Sequence, residues 1–500
     1  MDFIPSCRYF RKGETPRHAS RCGEDLPFPR LRILDARDID AIDEATRTLL
    51  AQSGVDVHSA KARQALGVAG AETVKNGPRV LIPEAVLEEA LRSAPHEIVL
   101  ASRDGRHDIR VPDGSVHVAT DGCGVNVLDF ETGERRPSTT KDLAQLTRVG
   151  DALEVLDYQW PMSVAGDVPN EIHDLVEAAT ALENTTKHIQ HEALSAPEAE
   201  TMISMASAIM GGRDELRRRP LISSIQCPVS PLILEEGSSE ALMQFGTAGV
   251  PVAPMSMVLM GGSSPVDLAS ALVVSNAEIL ASVCLSQATA RGAPIFWSIA
   301  SGPIDMRSGS FGAGSPEMAL LSSAGAELAR HYRLPSLVAS LASDADTPGF
   351  QAGIEKMGTG LAAMMAGPDT VSGIGGLDTD STMSLEQLVL DAEIVRYIRG
   401  VMQPLRVAPE TLHLDMLLRV GPAGNYLKEK HTLTHFREAL WSSKILLREG
   451  FVEGRPAEER VRERARARVR EILTGHEPTP LEADIHRRIW ELARSKPAAV

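Results

Sequence analysis

Acidic side chains cluster in the sequence around the end of one predicted strand. Asp344 and Asp346 come directly after the strand-like run LPSLVASLAS. Gln351 and Glu355 are one helical turn apart on the helix that is predicted to begin there. We predict that Asp344, Gln351 and Glu355 form the catalytic group of one site. Carboxylates in such a place offset the positive charge of a bound molecule or hold a proton. The alternative for Asp344 is a cap for the next helix.

The histidine pair in HIQHE has the side chains of a metal site but not the spacing. His188 and His191 are three residues apart on a predicted strand, which places them on opposite faces of a sheet. The segment is not an H-E-x-x-H motif, and the five scattered cysteines form no C-x-x-C pair. We therefore predict no bound metal in this chain, and we place His191 among the substrate-binding candidates.

Another candidate pair ends the strand-like run LISSIQCPVS. Gln226 offers an amide for substrate binding, and Cys227 beside it is either a reactive thiol or a buried, inert one. We favour the inert thiol. The odd number and wide spacing of the cysteines are typical of a reducing compartment, so we expect a cytoplasmic protein.

These residues need a scaffold, and the sequence indicates a parallel one. Seven strand-like runs alternate with amphipathic helices: DYQWPMSVAG, KHIQHEAL, LISSIQCPVS, VPVAPMSMVL, APIFWSIASG, LPSLVASLAS and TVSGIGGLD. Each helix is long enough to cross back over a sheet, as parallel strands require. Seven such units and one strand from a flanking segment predict an α/β fold, a closed TIM-type (β/α)₈ barrel.

The ends of these runs are where a barrel of this type carries its active site. Gly375 and Gly376 end the seventh run, where backbone N–H groups can cradle an anion or where a large ligand can approach closely. The glycine-rich segments match neither a Walker A motif nor a dinucleotide fingerprint. We predict that both glycines face a docked partner.

The chain divides into four predicted regions. Residues 1–30 are polar and rich in proline, glycine and arginine, and predict an irregular arm. Residues 31–140 combine helices with short hairpin-like strands, residues 141–403 form the predicted barrel, and residues 404–500 are a charged helical extension.

The charge balance excludes several classes of partner. Lys and Arg total 51 against 67 Asp and Glu, which gives a formal net charge of −16. Such a charge repels phosphate backbones, so we expect no nucleic acid partner. The N-terminus has no apolar signal segment, and no continuous run of about 18 apolar residues predicts a membrane span.

Several phrases of the sequence resemble one known family. They are LIPEAVLEEALRSAP, VNVLDFETGERRPSTTKDLAQL, GVPVAPMSMVLMGGSSPVDLASALVVSNAEILAS, GSPEMALLSSAGAELARHYRLPS, SDADTPGFQAGIEKM and GPAGNYLKEKHTLTHFREALW. In this order, from about residue 35 to 445, they resemble the trimethylamine methyltransferase family. The resemblance implies a TIM-type barrel, a homo-oligomer, and transfer of a methyl group from a methylated amine to the Co(I) corrinoid of a separate corrinoid-binding protein.

Two departures from the family pattern bear on the substrate. The archaeal trimethylamine enzymes contain pyrrolysine, whereas this chain contains only standard residues, like the relatives that demethylate quaternary amines such as glycine betaine. A quaternary ammonium leaves as a neutral amine without further activation, so we favour a betaine-like substrate over trimethylamine. Asp346 stands where related sequences tend to have lysine, and we count it among the substrate-binding residues.

Aromatic residues matter for such a substrate, because a cation over an aromatic ring gains about 0.5–2 kcal/mol. Aromatics make up only 4% of the chain. Trp160 and Trp297 lie on predicted strands, and Phe350 lies in a loop near the predicted mouth; we predict that all three bind substrate. The alternative is that these side chains belong to the core.

Two further residues are predicted to face the corrinoid partner. Tyr426 and His431 lie in the segment GPAGNYLKEKHTLTHF, which resembles the family closely, and His431 and His435 have helical i, i+4 spacing. Two other functions remain open at this point. One is a binding or sensing protein for methylated amines without catalysis, and the other is a lyase or isomerase that uses the carboxylates as acid and base.

Overall fold

The computed structural model describes residues 30–75 and 77–495. The predicted irregular arm at residues 1–30 lies outside the described residues, apart from Arg30. The first region contains three helices, Ala36–Gln52, Ala60–Val68 and Glu84–Ser93. A small sheet pairs Glu72–Thr73, Arg79–Leu81 and Val55–Val57 with Ile233–Leu234 of the barrel region.

Eight parallel strands close into a barrel. They are β1 (His117–Thr120), β2 (Tyr158–Gln159), β3 (His188–Glu192), β4 (Ile222–Ile225), β5 (Val252–Ala253 and Met255–Ser256), β6 (Trp297–Ile299), β7 (Ser336–Ala339) and β8 (Thr370–Ile374). Pro254, which has no N–H to donate, interrupts β5, whose first half pairs with β4 and whose second half pairs with β6. Pairing of β8 with β1 completes the ring. The predicted (β/α)₈ barrel is confirmed.

The first barrel strand lies where the sequence predicted the N-terminal α+β region. Strand β1, His117–Thr120, falls within residues 31–140, so the barrel begins before residue 141. The physical reason is that β1 finds its partner β8 about half the chain away, and a four-residue run carries no mark of that partner. The segment before it is a hairpin as predicted, with Ile98–Leu100 antiparallel to Ile109–Val111.

This hairpin closes the N-terminal end of the barrel. Its apolar side chains pack with Tyr158 and Phe296 in the barrel interior. The N–H of Ala101, just after the hairpin's first strand, donates to the carbonyl of Pro220 at 2.8 Å, directly before β4. The other end of the barrel, where the strands finish, is therefore the end at which a ligand can enter.

One helix follows each strand and packs outside the barrel. They are α1 (Thr140–Ala152), α2 (His173–Asn184), α3 (Ala196–Met210), α4 (Glu236–Ala248), α5 (Leu268–Thr289), α6 (Pro316–Tyr332), α7 (Phe350–Ala366) and α8 (Leu385–Val401). Helices α1, α3, α6 and α8 begin at Thr or Ser caps whose side chains accept backbone N–H groups. A short helix, Arg213–Arg218, follows α3.

Helix α5 is long and apolar enough to cross a membrane by length and composition alone. In this fold, 72% of the most apolar stretch of the helix is buried inside the protein. It contains polar residues that bond within the protein, such as Asn276, whose amide donates to Tyr332 Oη at 2.8 Å. Burial inside the fold accounts for its apolar composition.

The C-terminal region is helical and has two parts. Residues 403–444 contain Pro409–Leu412, Leu414–Val420, Tyr426–Lys428 and Lys430–Ala439, and none of these residues is buried. Helices Ala457–Gly475 and Ala483–Arg494 instead bury one face against the barrel helices.

Candidate active site

The predicted catalytic group is brought together at the end of β7. Glu355 Oε2 accepts hydrogen bonds from Ser343 Oγ at 2.7 Å and from the Asp344 N–H at 2.9 Å. Glu355 Oε1 accepts from Gln351 Nε2 at 2.8 Å. Proximity of Asp344, Gln351 and Glu355 is therefore as predicted, and their catalytic role stays a prediction.

Asp344 does not cap the helix that follows it, because Gly349 is the N-cap of α7. Its Oδ1 instead accepts from the N–H groups of Ala313 and Gly314, at 2.8 and 3.2 Å, in the loop after β6. It also accepts from Thr379 Oγ1 at 3.1 Å. Burial, with a further contribution from the nearby Glu355, raises the pKa of Asp344. Asp344 therefore joins three barrel loops.

A second carboxylate pair, missed in the sequence, lies beside this group. Asp121 follows β1, and Asp380 lies in the loop after β8. Both face Gly376: an added Cβ on this glycine would lie 2.4 Å from Asp380 Oδ1 and 3.3 Å from Asp121 Oδ2. Burial, and then repulsion by Asp121, raises the pKa of Asp380 well above its usual range. Two carboxyls this close disfavour the ionisation of both, which is why the charge of Asp121 adds to the effect of burial on Asp380.

The loop that carries Asp380 has an uncommon backbone. Asp378, Thr379 and Asp380 have φ values of 53°, 54° and 62°, three successive non-glycine residues in the left-handed region. Each such residue costs about 1–2 kcal/mol. The turn is held by hydrogen bonds from the Asp378 N–H to Ala345 O, at 2.7 Å, and from the Thr379 N–H to Ser343 O, at 2.9 Å. Strain of this kind is typical of functional sites.

Trp160 is an aromatic residue that packs beside Gly122, the residue that follows Asp121. It belongs to the apolar cluster inside the barrel and is only 9% exposed. An added Cβ on Gly122, the residue after Asp121, would lie 2.3 Å from its ring. Its indole Nε1 is buried without a partner among the described residues. The Trp160 ring and its unpaired N–H therefore lie beside the backbone that carries Asp121, at the ends of β1 and β2.

Three predicted substrate-binding residues face away from the barrel interior. Trp297 is fully buried against α6, where its ring contacts Gly325, and its Nε1 donates to Asn276 Oδ1 at 2.9 Å. The Gln226 amide donates to Ala193 O at 3.2 Å, and His191 Nε2 lies 3.1 Å from Asp174 O on α2. The prediction that these side chains point into the barrel is wrong. Both faces of a barrel strand are buried, so the composition of a strand does not show which face is the inner one.

Two other predicted residues lie in solvent. Phe350 is 77% exposed at the start of α7, and Asp346 is exposed in the loop before it. Among the described residues, neither side chain helps to enclose a site for a small molecule. Helix α7 turns its buried face, with Lys356, towards the barrel, so its first residue points outwards.

The prediction that Gly375 and Gly376 face a partner is also wrong, because both are buried. An added Cβ on Gly375 would lie 2.0 Å from Met162 Cε. The Gly375 N–H does bind an anion, but this anion is Asp391 of α8, whose Oδ2 accepts at 2.7 Å. The glycines thus allow close packing, not docking.

Asp391 pairs with Lys356 in the interior, and both side chains are fully buried. Lys356 Nζ lies 2.9 Å from Asp391 Oδ2 and donates to Leu341 O at 2.6 Å and to Gly373 O at 3.2 Å. The pair ties α7 and α8 to the ends of β7 and β8. No pattern in the sequence distinguishes this lysine from an exposed one.

Two cysteines line the same end of the barrel. Cys123 Sγ donates to Glu192 Oε1 at 2.7 Å, and burial raises the pKa of Cys227 to about 12. Burial, and then the charge of Glu192, raise the pKa of Cys123 as well. Both thiols are protonated at neutral pH, in agreement with the inert thiol that the sequence favoured for Cys227.

Comparison with known proteins decides the family. The family described as Trimethylamine methyltransferase (MTTB) matches residues 11–498. The chain belongs to this family. It is 34% identical over 466 residues to the trimethylamine methyltransferase MttB of Methanosarcina barkeri, covering 91% of this chain and 93% of that one. It is 28% identical over 464 residues to the glycine betaine methyltransferase of Desulfitobacterium hafniense, covering 92% and 96%.

The resemblance seen in the sequence is thus confirmed, and the chain is a methyltransferase of the trimethylamine methyltransferase family. Among solved structures, the monomethylamine methyltransferase MtmB of Methanosarcina barkeri matches with a TM-score of 0.49 and 13% identity. That match covers 87% of this chain and 94% of that one.

The other two residues predicted to face a partner, Tyr426 and His431, lie in the exposed segment 403–444. Tyr426 is 39% exposed. The His431 ring lies between His413 and His435, with centroid distances of 4.1 and 4.7 Å. Desolvation, and then these two imidazoles, lower the pKa of His431. Both residues are accessible to a docking protein.

Replacing Lys356 tests whether the buried ion pair holds the site together. We expect Lys356→Met to lower the free energy of unfolding by about 3–5 kcal/mol, because Asp391 is left as a buried, unpaired charge. Urea denaturation followed by circular dichroism measures the change. The double variant Lys356→Met with Asp391→Leu should recover most of the loss; a double variant as unstable as the single one would contradict this account.

Proposed function

We propose that this chain transfers a methyl group from a quaternary, betaine-like amine to the Co(I) corrinoid of a separate corrinoid-binding protein. The family supports methyl transfer from a methylated amine, since relatives of this chain are named trimethylamine and glycine betaine methyltransferases. The observation that carries the finer proposal is the pair Asp121 and Asp380 beside Trp160. A homo-oligomeric state and a cytoplasmic location stay predictions.

The site has the charge that such a substrate needs. Asp380 Oδ1 is buried and accepts no hydrogen bond from the described residues. A permanent cation beside it would stabilise the ionised form of Asp380. The ring of Trp160, which packs against Gly122 next to Asp121, would add a cation–π contact to a cation bound there. A quaternary ammonium carries a positive charge but has no hydrogen-bond donor. An aromatic face and a carboxylate both stabilise such a charge without a hydrogen bond.

In this reaction the main task of the protein is to position the substrate. The corrinoid supplies the nucleophilic electron pair, and the electrons of the broken C–N bond leave with the neutral tertiary amine. The residues of this chain hold the ammonium in the barrel mouth with one N-methyl group towards the opening. Because the leaving amine carries no new charge, the acids act on the cation of the bound substrate and need not donate a proton.

The absence of pyrrolysine supports a quaternary substrate on chemical grounds. A neutral tertiary amine is a poor methyl donor, because its leaving group would be an amide anion unless the nitrogen is first protonated or otherwise activated. This chain has only standard residues. Its higher identity to a trimethylamine enzyme than to the glycine betaine enzyme makes the substrate comparison necessary.

The direct test is methylation of a Co(I) corrinoid, followed by absorbance. Purified full-length protein is given glycine betaine, choline, carnitine and, separately, trimethylamine. We expect loss of the Co(I) band with a quaternary amine and no change with trimethylamine. Methylation by trimethylamine alone would overturn the quaternary substrate. Binding by calorimetry without methylation would instead favour the sensing function, and turnover without cobalt would favour a lyase or isomerase.

Asp380→Asn tests the carboxylate pair. The variant keeps the shape of the side chain but removes one charge, and we expect kcat/KM for the active amine to fall about 30-fold or more, since loss of a buried charge partner costs about 2–5 kcal/mol. Asp346→Asn is the matched control, because that carboxylate is exposed. Equal losses in both variants would contradict the role of the pair.

The pH dependence of KM is a second test of the carboxylate pair. Because the pKa of Asp380 is raised, a cation that binds the ionised carboxylate must displace a proton wherever this carboxyl is protonated. We therefore expect KM in the parent protein to fall as the pH rises towards the pKa of the pair. In Asp380→Asn this slope should disappear.

The exposed segment is tested with two methyl acceptors. If Tyr426 and His431 contact the corrinoid protein, Tyr426→Ala and His431→Ala should slow methylation of the protein-bound corrinoid by about tenfold and leave the reaction with free cob(I)alamin unchanged. Leu427→Ala, at a neighbouring exposed side chain, shows the effect of an unrelated change there. Equal rates with both acceptors in every variant would exclude a docking role.

A further inference from the structure

Three polar side chains inside the barrel have hydrogen-bonding atoms that the protein does not pair. They are the indole Nε1 of Trp160, the amide oxygen Oε1 of Gln190 and the hydroxyl Oγ of Ser298, and each is buried without a partner in the described part of the chain. The three residues are 9%, 1% and 0% exposed. Because buried polar groups in native proteins are nearly always hydrogen-bonded, a bound ligand or water must satisfy them.

Trp160 and Gln190 lie side by side on β2 and β3. The residues before them, Gln159 and Ile189, are register partners in these parallel strands. Trp160 belongs to the apolar cluster inside the barrel. Since residues that are side by side on paired strands point to the same face, Gln190 faces the barrel interior as well.

Ser298 faces the same interior from β6. Its register partners are Met255 on β5 and Leu337 on β7, and both belong to the apolar cluster that contains Trp160. The three side chains with unpaired atoms therefore point inwards from β2, β3 and β6.

A chain of hydrogen bonds fixes which atom of the Gln190 amide is unpaired. His188 Nδ1 lies 3.1 Å from Pro220 O and 3.2 Å from Ala101 O, so this nitrogen carries the imidazole proton. Burial lowers the pKa of His188 to about 4, so the ring is neutral and its Nε2 accepts from Ser223 Oγ at 2.8 Å. Ser223 Oγ in turn accepts from Gln190 Nε2 at 3.1 Å. The amide oxygen of Gln190 is thus held towards the interior as an acceptor.

The unpaired atoms differ in what they require from a ligand. Gln190 Oε1 needs a donor, Trp160 Nε1 needs an acceptor, and the Ser298 hydroxyl can take either role. A quaternary ammonium has neither donor nor acceptor, and a carboxylate has acceptors only. A hydroxyl has both. No lysine or arginine occurs on the eight barrel strands, so a carboxylate inside the barrel would also lack a cationic partner there.

We propose that the substrate is a quaternary ammonium whose fourth substituent ends in a hydroxyl, and that Trp160, Gln190 and Ser298 bind this hydroxyl. The inference rests on the proposed function, in which one N-methyl group faces the opening and the fourth substituent therefore points into the barrel. Gln190 accepts the proton of the hydroxyl, and Trp160 or Ser298 donates to its oxygen. Choline has such a substituent, whereas that of glycine betaine ends in a carboxylate.

The test compares two cations of nearly the same size in the Co(I) corrinoid assay with full-length protein. Propyltrimethylammonium has a methyl group where choline has the hydroxyl. We expect kcat/KM for choline to be about 100-fold higher or more, because a site built to hydrogen-bond a hydroxyl rejects an analogue without one. Equal values for the two cations would overturn the hydroxyl site, as would a preference for glycine betaine, while methyl transfer from a quaternary amine would still stand.

Gln190→Met removes the amide acceptor at nearly constant volume. We expect the ratio of kcat/KM for choline to that for propyltrimethylammonium to fall about tenfold, as the loss of one hydrogen bond predicts. Gln159→Met is the matched control, because Gln159 is a buried glutamine on β2 whose amide donates outwards, to Thr185 Oγ1 at 2.9 Å. It should keep the parent ratio, which a loss of stability does not change. An equal fall in both variants would contradict the assignment.

Binding separates this inference from the proposed function. Should no quaternary amine methylate the corrinoid, calorimetry with choline and propyltrimethylammonium still tests the hydroxyl site. A tenfold or greater preference for choline that Gln190→Met abolishes would support the site. Equal affinities, or binding of neither cation, would overturn it. Ser298→Ala takes the place of Gln190→Met if that variant does not fold.

Discussion

The neutralisation of Lys356 by Asp391 is the interaction on which the candidate site depends. Two opposite charges without solvent contact are stable only when each remaining hydrogen-bonding atom also has a partner. Here those partners are the backbone carbonyls at the ends of β7 and β8 and the N–H of Gly375. The pair therefore fixes the paths by which two strands leave the barrel, and the loops that follow carry the acids.

The strained turn at Asp378–Asp380 follows from this arrangement. Its backbone N–H groups donate to Ser343 O and Ala345 O, in the loop after β7. Lys356 holds the start of this loop through its hydrogen bond to Leu341 O. Glycine at position 376 leaves room for the Asp380 carboxylate, and any larger residue would displace it. The stability of the barrel thus holds two acids close together at the ends of β1 and β8. In the function proposed above, a bound cation would offset their charge, so that fold stability and substrate binding would depend on the same few buried atoms.

The sequence predicted the barrel well because alternating strands and helices repeat along the chain, and four of the barrel helices begin at Thr or Ser caps. It predicted the neighbourhood of Asp344 and Glu355 for the same reason, since both lie within one strand–loop–helix unit. Asp121 and Asp380 were missed because they come from opposite ends of the barrel sequence and meet only when β8 pairs with β1. Trp297 was misplaced because its strand is buried on both faces, so that nothing in its composition marks the inner one.

The hairpin that seals the N-terminal end of the barrel sets the order of events in a reaction at the other end. With the floor closed by Ile98–Leu100 and Ile109–Val111, a molecule has the strand-end mouth as its route both in and out. If the methyl acceptor of the proposed reaction docks at this mouth, it covers the opening. The amine would then have to enter before the acceptor arrives and its demethylated form leave after the acceptor departs, so the barrel's shape would impose an ordered kinetic mechanism.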